Sequence, residues 1–275
     1  MNTWNEWTRC SAAATAYCRT AWLAMAGKHT IRLLFALLFA LPVQAQEKPP
    51  TISEHNRANW QAVGRIGILN KKGNGGCTGV LIAPDLVLTA AHCVVNRKTG
   101  RIRPFYRVQF MAGWHNGTHL GSASAADIEV HPDYDLTQLA QTNRVRMDYI
   151  PNDLALVRLK NALDIPPLPV AAPLGDKKLL NPTPVRLLAY RGDRPEILSD
   201  YDDCLAQKIG PELLGLNCAV VSGVSGSPVF MAGLQGWEVV GIVSSQVLGK
   251  GEVRALVAQA DRGRLSAMKL AEQQQ

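Results

Sequence analysis

Three stretches of the sequence carry residue types that can do chemistry together. Leu86-Val-Leu-Thr-Ala-Ala-His-Cys93 ends an apolar run on His92, with Ala90 and Ala91 leaving room for the ring and Cys93 beside it. Ile150-Pro-Asn-Asp-Leu-Ala-Leu-Val-Arg-Leu159 puts Asp153 at the mouth of another apolar run. A carboxylate there is either a turn residue or a buried group with a partner, because an unpaired buried charge is costly. A histidine N–H is one such partner. Gly223-Val-Ser-Gly-Ser-Pro228 holds Ser225 among glycines. Glycine lets backbone N–H groups approach a ligand, and a serine on a tight bend projects its hydroxyl. Alone, the hexapeptide reads as a Gly/Ser hairpin turn. With the other two stretches it completes a nucleophile, a base and an orienting carboxylate, which is the equipment for acyl transfer through a serine.

The elements that must position these residues read as strands. Ala62–Leu69 alternates and runs into a Lys-Lys-Gly-Asn-Gly-Gly turn, and Cys77–Ile82 and Leu86–Thr89 form a hairpin around Ala-Pro-Asp. Arg107–Met111, Ala126–Val130 and Leu154–Leu159 continue the series. Prolines from Pro166 to Pro184 mark an extended crossing linker. Val185–Tyr190, Leu216–Val221, Pro228–Met231 and Val239–Ser244 make a second set of strands. After Asp261, a candidate N-cap, Leu265, Met268 and Leu270 form a partial apolar face, so a short C-terminal helix is expected. Short strands on both sides of a proline-rich linker argue for an all-β chain with two units.

The chain has 275 residues, 47% apolar and 19% charged, enough for two cores of about 100 residues each. Of its formal charge of +7, Arg9, Arg19, Lys28 and Arg32 against Glu6 place +3 in residues 1–45, leaving +4 for the rest. Those remaining basic residues are scattered without blocks or interleaved aromatics, which argues against nucleic-acid binding. Lys28, His29 and Arg32 precede the apolar run Leu33–Leu41, and Val43 and Ala45 are the small residues of a cleavage site before Gln46. The run is shorter than the roughly 20 residues of a membrane anchor. An export signal over residues 1–45 is therefore expected, with Met25 an alternative start and no membrane attachment after cleavage. Cys10 and Cys18 fall in that segment; Cys77, Cys93, Cys204 and Cys218 remain and show no Cys-x-x-Cys spacing for zinc. Two disulfides in an oxidising compartment allow three pairings. The pairing of neighbours, Cys77–Cys93 and Cys204–Cys218, is the expected one, each bridge closing a loop of about 15 residues and worth about 3 kcal/mol.

Thr89-Ala-Ala-His92-Cys93, Asn152-Asp-Leu-Ala-Leu156 and Gly223-Val-Ser-Gly-Ser-Pro228 together resemble the three signature segments of trypsin-like (chymotrypsin-fold) serine proteases, in the same order. Gly76–Ile82 resembles the strand bridged to the histidine loop, His131-Pro-Asp-Tyr134 the segment before the aspartate, and Val240–Ser244 the strand that lines substrate. The resemblance runs from about Gly64 to Val247. It implies two six-stranded Greek-key β-barrels, over residues 46–165 and 185–258, joined by a linker over 166–184 and followed by a helix and tail over 259–275. It also implies roles: Ser225 as nucleophile, His92 as general base and then acid, Asp153 as its orienter, and the N–H groups of Gly223 and Ser225 as oxyanion hole. Ala219 takes the pocket-floor position, with Ser244 and Ser245 on the pocket wall. No metal or organic cofactor is required, the substrate is a protein or peptide, and a periplasmic or secreted monomer is expected.

Departures from the family pattern narrow the expectation. Val224 stands where animal members carry the acid that pairs with a new N-terminus, so no such activation switch is expected. The serine segment is closer to the bacterial, glutamyl-endopeptidase-like branch, yet Val243 stands where Glu-specific enzymes place a histidine. With Ala219 at the floor, a small or apolar side chain is expected at the cleavage site. The span between His92 and Asp153 carries an inserted polar stretch near Asp135–Asp148. An α/β-hydrolase needs a histidine downstream of its serine, and none follows His131. His115 and His119, in a Gly/Asn-rich turn, read as solvent-facing side chains and not as metal ligands. The alternative from another class is a catalytically silent homologue that keeps the fold as a binding or adaptor module.

Overall fold

The computed structural model describes residues 48–69, 76–135, 147–173, 182–249 and 251–272. The expected leader, the turn at 71–75, most of the inserted polar stretch and the middle of the linker lie outside the described residues. Pro49–Gln275 forms one compact unit.

Within it the strands are β1 (Val63–Ile68), β2 (Gly76–Ala83), β3 (Leu86–Thr89), a two-stranded ribbon of β4 (Val95–Asn96) and β5 (Arg101–Ile102), then β6 (Val108–Ala112), β7 (Gly121–Val130) and β8 (Ala155–Leu159). They are followed by β9 (Thr183–Arg191), β10 (Arg194–Gly210), β11 (Leu213–Leu216), β12 (Pro228–Gly233), β13 (Gly236–Gln246) and β14 (Ala255–Gln259). Two closed six-stranded barrels result, in the orders β1-β2-β3-β8-β7-β6 and β10-β11-β14-β13-β12-β9. Closure pairs the edge strands that an open sheet would leave exposed. Alternation explains the inward faces: in β6, Val108, Phe110 and Ala112 are buried between the less buried Gln109 and Met111.

The strands that the sequence marks by apolar alternation appear with ends shifted by a few residues. Four others escape that pattern: the two-residue strands β4 and β5, and β10 and β14. β10 is 17 residues long and polar through Asp200-Tyr-Asp-Asp203, yet its first part pairs with β9 and its end with β11, with irregularities that let it bend between them. β14 is a short apolar run that pairs with the preceding strand, β13, and with β11, which is remote in sequence. The expected strand Leu216–Val221 is corrected: the ladder ends at Leu216. Asn217 then turns its side-chain oxygen to the Leu205 N–H, and Cys218 leaves to meet Cys204.

The expected short C-terminal helix is present as two turns, Arg262–Leu265 and Lys269–Glu272. Asp261 caps the first by accepting the Arg264 N–H. Glu129 of β7 caps the second, its carboxylate accepting the N–H groups of Lys269 and Leu270. Leu265, Met268 and Leu270 are buried with the core of the first barrel, so the chain leaves the second barrel and returns to the first. At the other end, Pro49–Ile52 runs along β10: Thr51 bridges Ser199, and Ile52 donates to the Leu198 carbonyl. Trp60, closing a 3-10 turn, packs 5.0 Å from Phe230 of β12.

Candidate active site

β3 and β8 are neighbours in the first barrel, with Thr89 opposite Ala155. The segment leaving β3 and the segment entering β8 therefore meet at the same end of the barrel, although 61 residues separate them. His92 lies in the single turn Ala91–Val94 after β3, and Asp153 follows the turn Met147–Asn152 that leads into β8. Asp153 Oδ1 accepts the His92 backbone N–H at 2.9 Å, and Oδ2 lies 2.6 Å from His92 Nδ1. Ser244 Oγ donates to the same Oδ2 at 2.5 Å, from β13 of the second barrel. The short Nδ1 contact puts that ring proton between nitrogen and carboxylate, so the lone pair of the neutral ring is on Nε2.

Asp153 and Ser244 are buried, and only 9% of the His92 side chain is exposed. Burial pushes the Asp153 carboxyl up, but attraction to His92 and the hydrogen bonds from His92 and Ser244 outweigh it. The group is held below the usual carboxylate range. A permanent carboxylate is therefore poised against the ring, ready to stabilise an imidazolium.

Ser225 reaches this corner through its backbone. Its carbonyl accepts the Thr78 N–H at 2.9 Å, and the next residue, Gly226, donates to the Val243 carbonyl at 2.8 Å. Thr78 follows Cys77, whose disulfide to Cys93 leads to the residue beside His92. Val243 precedes Ser244, which holds Asp153. The serine is thus tied to both neighbours of the His–Asp pair. Both flanking glycines have positive φ, +89° at Gly223 and +80° at Gly226. A Cβ on Gly226 would lie 2.3 Å from Thr78 O, and one on Gly223 would lie 2.5 Å from Gly192 N, so no other residue fits at either position. Gly192 donates to the Ser222 carbonyl at 2.6 Å, fixing the turn from the β9–β10 side.

Among the described residues, the Gly223 and Ser225 N–H groups meet no acceptor, which leaves both donors available. Nor does a hydrogen bond join Ser225 to His92; Nε2 has Cys93 Sγ at 3.9 Å. Catalytic hydrogen bonds are often long before substrate binds and tighten in the complex. Cys77, His92 and Cys93 are a group of three metal-ligand types gathered within 4.8 Å. Their sulfurs are joined to each other, so neither is a thiolate.

Residues 77–242 match the family described as Trypsin-like peptidase domain. The chain belongs to that family. Two solved structures are similar to this trypsin-like peptidase in fold. One is a thermostable serine protease, AL20, from an extremophilic microorganism, at 16% identity and a TM-score of 0.61, covering 79% of this chain and 100% of its own. The other is a Glu endopeptidase in complex with MPD, at 18% identity and a TM-score of 0.63, covering 83% of this chain and 98% of its own. No curated protein matches the chain. Family and fold make it a serine endopeptidase of the trypsin-like class.

Of the residues expected in the specificity pocket, Ala219 and Ser245 are half-buried, and Ser244 directs its hydroxyl to Asp153. Val224 is fully buried in the second core, where a carboxylate would have no place. Sequence reading overlooked Thr78. Its backbone N–H binds Ser225, its hydroxyl donates to the Gly223 carbonyl at 3.3 Å and accepts the Tyr190 N–H at 3.0 Å. A buried threonine inside a strand gives no sequence signal for such a role. A cavity of about 300 Å³ opens beside Gly223, lined also by Gly76, Cys77, Tyr190, Gly192 and Arg65.

Proposed function

We propose that this peptidase cleaves peptide bonds with Ser225 as nucleophile, His92 as base and Asp153 as orienter. Ser225 Oγ attacks the scissile carbonyl while His92 Nε2 takes its proton. The oxyanion that forms is met by the N–H groups of Gly223 and Ser225, each worth about 3 kcal/mol at the transition state. The C–N bond breaks as His92 passes the proton to the leaving amine. Water, deprotonated by the same ring, then releases the acyl group from Ser225. The observation that carries the reading is the buried Asp153 carboxylate, 2.6 Å from His92 Nδ1 and 2.5 Å from the Ser244 hydroxyl.

Specificity follows from the floor. Neither Ala219 there nor buried Val243, where Glu-specific enzymes place a histidine, offers a charge to a long ionic side chain, so a small or apolar residue is the preferred fit. Export with removal of residues 1–45 completes the proposal. The two disulfides suit an oxidising compartment, periplasmic or extracellular.

The test is labelling of the purified protein with a fluorophosphonate probe. Wild type should label and Ser225→Ala should not. A folded wild-type sample that stays unlabelled would return the molecule to the other reading, a fold kept as a binding module.

A further inference from the structure

Asp153 is gripped from the front by His92 and Ser244, but the turn that delivers it also needs support. That turn, Met147–Asn152, ends on a proline and an asparagine. Arg264 Nη2 donates to the Pro151 carbonyl at 2.7 Å and lies 3.0 Å from Asn152 Oδ1. The other face of Asn152 is held as well, its Nδ2 donating to the Asp133 carbonyl at 3.3 Å. The opposite arm of the same guanidinium, Nη1, pairs with Glu212 in the turn between β10 and β11. Glu212 is in turn held at its carbonyl by the Gln259 N–H at 3.0 Å. The base of Arg264 is fixed too: Asp261 Oδ1 accepts its backbone N–H at 3.0 Å, while Asp261 Oδ2 accepts Gln259 Nε2 at 2.8 Å. The Arg264 side chain is 9% exposed.

We infer that Arg264 is a positioning residue for the proposed reaction, bracing the Asp153 turn of the first barrel against the Glu212 turn of the second. The inference rests on the His92–Asp153 reading above. A planar fork with donors on two arms can hold two carbonyl-type oxygens on one side and a carboxylate on the other. A lysine ammonium lacks that spread. The grip falls on the two residues immediately before Asp153, so loosening it moves the carboxylate relative to the ring and leaves the substrate-binding surfaces alone. Small displacements of this kind, remote from the reacting atoms, cost rate more than affinity.

The experiment compares Arg264→Ala, Arg264→Lys and Ser225→Ala in the full chain, reading kcat and KM separately together with the far-downfield proton resonance of the His92 Nδ1–Asp153 hydrogen bond. Arg264→Ala should lower kcat by about tenfold or more at unchanged KM, and should broaden or remove that resonance. Arg264→Lys should recover only part of either. Unchanged kcat with a lower Tm would reduce Arg264 to a structural residue and overturn the inference, as would a raised KM at constant kcat. If Arg264→Ala does not fold, Asn152→Ala is read in its place. It should show the same kcat-only loss to a smaller degree, and an unchanged kcat overturns the inference equally. Activity surviving in Ser225→Ala would instead sink the catalytic reading itself, whatever Arg264 does.

Discussion

The two barrels hold their parts of the site by different means. The first barrel supplies His92 and Asp153, and fixes them with side-chain hydrogen bonds and a disulfide. The second supplies Ser225 and the Gly223 N–H, held by backbone hydrogen bonds and by glycines that pack where no Cβ fits. The disulfides repeat the contrast. Cys77–Cys93 and Cys204–Cys218 span nearly equal separations, 16 and 14 residues. The first ends beside His92. The second joins β10 to the segment after β11, on the far side of Ala219 from Ser225 in sequence. Equal loops give equal restriction of the unfolded chain, so any difference between the two bridges in activity measures what the first one positions.

The strongest way to break this comparison is to remove each bridge in turn. Cys77→Ser with Cys93→Ser, and Cys204→Ser with Cys218→Ser, should each cost about 3 kcal/mol of stability, lowering Tm by about 10 °C at this size. Assayed at saturating substrate well below both transitions, only the first pair should also lose kcat, by about tenfold. Equal activity losses would show that His92 does not depend on its neighbouring bridge. Next in size is Ser244→Ala, which removes the side-chain bond from the second barrel to Asp153. A hydrogen bond to a charged group contributes about 1.5–3 kcal/mol, so kcat should fall by roughly tenfold with the fold intact by circular dichroism. A variant with wild-type kcat would mean that the His92 contacts suffice alone.

The smallest effect sharpens the comparison in pH. His131, buried in the first barrel and donating its backbone N–H to the Leu154 carbonyl, has its pKa lowered first by burial and then by Arg264, against the opposing pull of Asp133 and Glu129. A histidine whose folded pKa is depressed stabilises the fold fully above its unfolded value of about 6.5, and that contribution is lost as pH falls below it. Tm should therefore drop on going from neutral to mildly acidic pH, and His131→Asn, which keeps an acceptor near the Asp133 N–H, should flatten that drop. A slope unchanged in His131→Asn would assign the acid sensitivity elsewhere.

Much of this molecule can be read along the chain because its signals are local. Apolar alternation marks most strands, Gly223 and Gly226 mark a bend where a side chain cannot fit, and Asp153 at the head of an apolar strand reads as either a turn residue or a buried carboxylate with a partner. What was not legible has different causes. The polar middle of β10 hides a strand that pairs with its sequence neighbours β9 and β11, β11 ends where Cys218 leaves to bridge Cys204, and the last C-terminal turn is capped from far along the chain by the Glu129 carboxylate.

The same division runs through the site. Residue types, their order along the chain and the resemblance they carry were enough to propose His92, Asp153 and Ser225, because each chemical role admits few side chains and each sits in a recognisable local setting. Thr78, Ser244 and Arg264 acquired their partners only when the barrels closed. A threonine, a serine and an arginine are ordinary on a strand or a turn. It is folding that brings a hydroxyl 91 residues away to one carboxylate oxygen and a guanidinium 112 residues away to the turn beside it.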